Sequence, residues 1–157
     1  MWPSTTSGAA TNTKREFVTN DVDVYGLAFD GTAQEFAQAT IAMPSDWDGG
    51  TVTAIFYWYI TSTSTNSAVW QCMGRSYGDA ETFDQAWGTP QEVADAGSGT
   101  TEQMLKSAAT SAITLEGTPA AGELVQFRIA RDPADGSDTL TAIDAILVGV
   151  MITYTRT

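Results

Sequence analysis

Carboxylates are the one reactive side chain this sequence offers in number. Of 157 residues, 19 are Asp or Glu, 7 are Lys or Arg and none is His. Without an imidazole, Ser-His-Asp and Cys-His nucleophile arrangements and the usual zinc sites drop out together. The single cysteine, Cys72, follows the apolar run Ala68, Val69, Trp70, where a lone thiol reads as a small buried hydrophobe. No glycine-rich phosphate loop of Walker or Rossmann spacing occurs. Two-carboxylate hydrolysis of a glycosidic bond survives only because carboxylates are plentiful, and plentiful surface Asp and Glu are the ordinary state of an acidic chain. The expectation is no enzyme, no catalytic residue and no cofactor.

Two loops hold enough oxygen ligands to raise the question of a hard cation. Asp132, Asp135 and Asp138 cluster within one acidic stretch, and Asp46 and Asp48 flank Trp47. Their spacing does not match an EF-hand loop, and Asp-Gly-Ser beside a proline is equally the composition of a plain turn, which is the favoured reading. Five tryptophans and five tyrosines raise a third possibility, the stacking of sugar rings on flat aromatic faces. That requires exposed rings. Trp58 and Trp70 fall on strand faces that pattern as core, whereas Trp47 on a loop and Trp87 on a short helix are better placed for contacts outside the domain. Trp2, in the N-terminal arm, joins them as a candidate capsid or ligand contact.

The elements that must position these residues are strands. Residues 1–20 have no apolar period and read as an extended arm; residues 21–157 read as one sandwich domain. Tyr25, Leu27 and Phe29 alternate before the turn pair Asp30-Gly31, and Glu35 to Met43 returns. Thr51 to Thr61 is the strongest strand. Val52, Ala54, Phe56, Trp58 and Ile60 share one face, while Ile55, Tyr57 and Tyr59 share the other, and both faces want cover. The second face points to a covering loop, a second sheet or a neighbouring subunit, and Ile55, Tyr57 and Tyr59 are the first choice for a subunit interface. Ala68 to Arg75 forms the next strand, and Asp79 to Trp87 reads as a short helix, capped by Asp79 and closed by Gly88, with Phe83 and Trp87 one turn apart. Weaker strands follow at Gln91 to Val93, Gln103 to Ser107 and Ala112 to Leu115. Two clear ones end the chain: Glu123 to Arg131, and Ala142 to Thr155 with Ile146, Val148, Val150, Ile152 and Tyr154 on one face. The expected class is all-β: a β-sandwich or jelly roll of about eight or nine antiparallel strands with one short helix.

A formal charge of -12 repels nucleic acid and anionic membrane, so neither is an expected partner. The apolar stretch Ala54 to Tyr59 is too short to span a bilayer as a helix. Met1-Trp2-Pro3-Ser4-Thr5-Thr6 has neither a basic start nor an apolar middle, and no signal peptide is expected from it.

Three stretches carry a resemblance: Met1-Trp2-Pro3-Ser4-Thr5-Thr6-Ser7-Gly8, then Met43-Pro44-Ser45-Asp46-Trp47-Asp48-Gly49-Gly50-Thr51-Val52-Thr53-Ala54, and Ser107 to Leu115 followed by Gly117-Thr118-Pro119. Together they resemble a family of small β-sandwich domains encoded among the structural genes of tailed bacteriophages and prophages. These motifs mark strands and turns, so no functional residue is carried over. The resemblance implies a component of the virion surface that assembles as a homotrimer. The first expectation is a capsid decoration (cement) protein that clamps neighbouring major capsid or other virion proteins through its arm and apolar loops. The alternative is the terminal domain of a fibre or spike, with a host surface glycan as partner.

Overall fold

Val52, Ala54, Phe56, Trp58 and Ile60 are each at most 1% exposed, as their alternation requires. The first four line the inner face of the longest strand, and Ile60 follows its end, in a computed structural model that describes residues 1–4 and 8–157. Ten strands are present among these residues: β1 (Trp2–Pro3), β2 (Thr11–Phe17), β3 (Val22–Phe29), β4 (Glu35–Ala42), β5 (Trp47–Tyr59), β6 (Ser67–Tyr77), β7 (Gln91–Ala96), β8 (Leu105–Lys106), β9 (Leu124–Arg131) and β10 (Ala145–Arg156). They form two antiparallel sheets, ordered β1-β4-β9-β6-β7 and β2-β3-β10-β5-β8. The fold is the expected β-sandwich.

One apolar core joins the sheets. Trp70 sits at its centre, stacked on Phe56 at 5.6 Å and meeting Phe29 and Trp58 edge-on at 5.3 and 5.8 Å. The indole of Trp58 donates across the core to Asp95 Oδ2 on β7 at 2.7 Å, which satisfies its buried N–H. Cys72 lies in this core as a free thiol, its pKa pushed up to about 12 by burial.

Five expectations change. Asp79 to Trp87 is not helical, and no helix occurs among the described residues. The carbonyls of Thr82, Phe83 and Ala86 accept instead from the side chains of Gln85, Tyr77 and Arg75. Side-chain donors thus take the place of the helical ladder. Ala112 to Leu115 shrinks to a single bridge, Ile113 with Val52, and Gln103 to Ser107 shrinks to the two residues of β8. Along this edge the hydroxyls of Ser107 and Thr110 accept from Phe56 N and Ala54 N at 3.0 and 3.1 Å, so side chains complete a ladder that a full strand would otherwise supply.

In β10 the expected face is split. The register steps from Leu147 opposite Trp58 to Gly149 opposite Tyr57, leaving Val148 as the extra residue of a bulge. Ala145 and Leu147 then face inward before the bulge and Val150, Ile152 and Tyr154 after it, while Ile146 faces out. The expected arm also belongs to the sandwich. Trp2 and Pro3 pair with Gln38 and Ala37, Ala10 is 1% exposed in the core, and Thr11–Phe17 pairs with β3 along its whole length. Its middle, Thr5 to Ser7, lies outside the described residues. The described parts of the arm bond to their own domain.

Candidate functional site

Strand parity decides which side chains stand on the outer face of the first sheet. Ala37 in β4, Val125, Phe127 and Ile129 in β9, and Trp70 and Cys72 in β6 point into the core. Gln38, Gln126, Arg128, Met73, Arg75 and Tyr77 therefore point away from it. The pairings Gln38 with Arg128, Arg128 with Met73, and Gln126 with Arg75 place these side chains side by side.

The loop from 78 to 90 rises over this face and makes a wall. Its hold on the sheet is specific: Arg75 donates through Nη1 to Ala86 O at 3.3 Å and through Nη2 to the Gln85 side chain, while Tyr77 Oη donates to Phe83 O at 2.8 Å. The Tyr77 and Phe83 rings lie 5.2 Å apart. Gly88 closes the loop, and a Cβ there would meet Thr114 O at 2.7 Å and Gly74 O at 3.0 Å. Between wall and sheet runs a groove of about 420 Å³, lined by Ser4, Gln38, Tyr77, Phe83, Asp84, Gln85, Trp87, Gln126 and Arg128. That volume falls within the range of small-molecule sites, about 300–1,000 Å³. Phe83 is 69% exposed, and Trp87 is half-buried.

The polar lining is partly self-satisfied and partly open. Gln126 Nε2 donates to Gln38 Oε1 at 2.6 Å, and Gln38 Nε2 to Ser4 Oγ at 3.3 Å, so a chain of amides crosses the floor. Arg128 behaves differently. Its guanidinium lies 3.6 Å from the centroid of the Phe36 ring, a close cation–π stack. Its Nε is buried without a hydrogen-bond partner among the described residues. Burial lowers its pKa from the ordinary guanidinium value, and the group stays charged at neutral pH. Ion pairs among the described residues use Lys14, Arg15, Arg75, Arg131 and Arg156, leaving Arg128 in the groove and Lys106 on the second sheet without one.

The residues expected from sequence fall in three places. Trp87 lines the groove, and Trp2, 51% exposed, lies opposite Gln38 in the register and so on the same face. Trp47 is 1% exposed, which corrects its expected role: it cannot contact a ligand or a capsid neighbour from inside the core. Its flanking carboxylates are engaged as well. Asp46 accepts from Tyr154 Oη at 3.1 Å and pairs with Arg156, and Asp48 accepts from Gly50 N at 2.8 Å. Ile55, Tyr57 and Tyr59 stand on the outer face of the second sheet. Ile55 and Tyr57 are half-buried, but Tyr59, 4% exposed, is already covered by its own chain beside Ala28, Ile146 and Val24. In the acidic loop, Asp132 and Asp135 accept from Ala134 N and Ser137 N as turn side chains, while Asp138 is buried against Arg131.

Sequence reasoning passed over Gln38, Gln126 and Arg128 because they occupy the polar half of alternating strands, the pattern of any solvated face. The available signal was Arg128 itself, a cation set between inward Phe127 and Ile129 in a chain with few cations. Nothing in the local pattern showed that the loop from 78 to 90 would fold over it.

No protein family and no curated protein matches this chain. Among solved structures it is similar to TmCBM61, determined in complex with β-1,4-galactotriose, at a TM-score of 0.41 and 11% identity, over 85% of this chain and 71% of that one.

Proposed function

We propose that this domain is a non-catalytic glycan-binding module whose site is the groove on the outer face of the first sheet. One observation carries the reading: Trp87 and Phe83 line a groove whose floor is a row of amides and a guanidinium held on rigid strands. Apolar faces of sugar rings pack on aromatic rings, and amide, carboxylate and guanidinium groups hold hydroxyls in fixed directions. The described lining does not supply the usual pair of carboxylates for hydrolysis. Asp84 is the one carboxylate among the described lining residues, and glycosidic cleavage ordinarily takes two.

The setting we propose is a virion surface, with the module serving as the receptor- or glycan-binding tip of a phage fibre or spike. Support for the setting is the resemblance noted from sequence. A second reading, a homotrimeric capsid decoration protein, is favoured by a separate observation: Val22, Met104, Val148 and Met151 on the second sheet and its border are 48, 63, 39 and 39% exposed.

A glycan array followed by calorimetric titration of the best ligand tests the main reading. Trp87→Ala should weaken binding about tenfold or more, equivalent to about 1.4 kcal/mol, with an unchanged far-ultraviolet spectrum. Binding that ignores this substitution, or no glycan bound at all, overturns it.

A further inference from the structure

We propose that the groove selects glycans bearing a carboxylate, a uronate or sialate type of sugar, and that Arg128 receives the acid group. This rests on the glycan-binding reading and adds the ligand's charge.

The chain carries a formal charge of -12, so an unpaired cation in a concave site is unexpected on composition alone. Arg75, diagonal to it on the adjacent strand β6, shows the ordinary use of an arginine there: its terminal nitrogens bind the loop wall. Arg128 does no such work. It is oriented by the Phe36 ring; its Nε, like that of Arg75, is buried without a partner, but neither of its terminal nitrogens makes a hydrogen bond among the described residues, and the side chain lines the groove. Leaving a partly desolvated guanidinium unmatched is costly, and a ligand carboxylate offers the planar, two-oxygen partner that suits its fork. Stacking on Phe36 fixes the fork before the ligand arrives, which lowers the ordering cost of binding. Asp84, on the loop wall, is not paired with it and is placed to accept from sugar hydroxyls. The overall negative field works against an acidic ligand, so its preference must come from this local contact and not from long-range steering.

The experiment pairs each uronate- or sialate-bearing glycan on an array with its methyl ester and with a sulfated counterpart, and titrates the best set against the wild-type protein. The acid should bind at least tenfold tighter than its ester, a comparison that needs no variant. In Arg128→Gln the acid and its ester should bind alike, whatever the loss of affinity common to both; Arg128→Lys, which retains charge but not the fork, should restore only part of the preference. Equal binding of acid and ester by the wild type, a preference for sulfate over carboxylate, or a preference that survives Arg128→Gln overturns the assignment while leaving a glycan site standing. Absence of binding to every glycan overturns both.

Discussion

Arg128 and Arg131 lie three positions apart on β9 and so face opposite sides of the sheet. Arg131 is wholly buried, and its donors are matched: Nε and Nη2 bind the two oxygens of Asp138 at 2.8 Å each, Nη2 also reaches Leu140 O at 2.6 Å, and Nη1 reaches Ile143 O at 2.7 Å. Asp138 takes a further bond from Val69 N at 3.0 Å. The pair therefore ties the acidic loop to the first sheet and to the start of β10, which explains why that loop keeps its shape around a carboxylate at its centre. Removing one member leaves an uncompensated buried charge, so Arg131→Ala should lower unfolding free energy by roughly 3–5 kcal/mol in urea titrations. The double variant Arg131→Met with Asp138→Leu should lose less than the single one. It should not recover fully, because the carbonyls of Leu140 and Ile143 still lose their donor. In the sequence Asp132, Asp135 and Asp138 looked alike; what separates them is the arginine that only Asp138 meets in space.

At the scale of elements, the strands were legible where alternation was unbroken and illegible where it was interrupted. The inner face of β5 follows directly from Val52, Ala54, Phe56 and Trp58. In β10 the same rule fails at Val148, because a bulge shifts side-chain parity without leaving any mark in a run of apolar residues. The loop from 78 to 90 fails for another reason. Phe83 and Trp87 have helical spacing, but Arg75 and Tyr77 reach from the end of β6, the strand that leads into the loop, to take the loop carbonyls, a competition that apolar spacing alone does not reveal. The wall of the groove thus depends on how closely this loop can approach the sheet, and Gly88 sets that approach. Gly88→Ala should cost about 1–3 kcal/mol of stability by crowding Thr114 O and Gly74 O. It should also weaken glycan binding although the groove's own side chains are intact. Calorimetric titration beside thermal unfolding separates the two effects, and unaltered affinity would show that the wall's position does not matter.

For the whole molecule, the sandwich presents two unlike outer faces. One is the amide-floored groove; the other, over β3, β10 and β5, gathers Phe17, Val24 and Tyr59 with Met104 and Val148 around a shallow apolar recess, crossed by the ion pair of Arg15 with Glu102 at 2.5 Å. Ile55, Tyr57 and Tyr59 pointed to this face from sequence, since an apolar second face on a sandwich strand wants cover from a loop, a second sheet or a neighbouring subunit. Their individual weights were not legible, because Tyr59 is enclosed by neighbours that approach from β3 and β10. In the proposed homotypic assembly the rim residues Met104 and Met151, not Tyr59, supply the area that remains to be buried. Association must also work against a charge of -12 on each copy, so it should strengthen as salt screens that repulsion. Sedimentation equilibrium from low to physiological ionic strength should show a rise in mass toward a trimer, and Met104→Glu with Met151→Glu should return the protein to monomer without loss of folded signal. The groove lies on the opposite sheet, so glycan affinity per site should be the same in both states. A mass that stays monomeric at every salt and concentration removes the decoration reading, whereas the glycan module stands or falls with its own ligand.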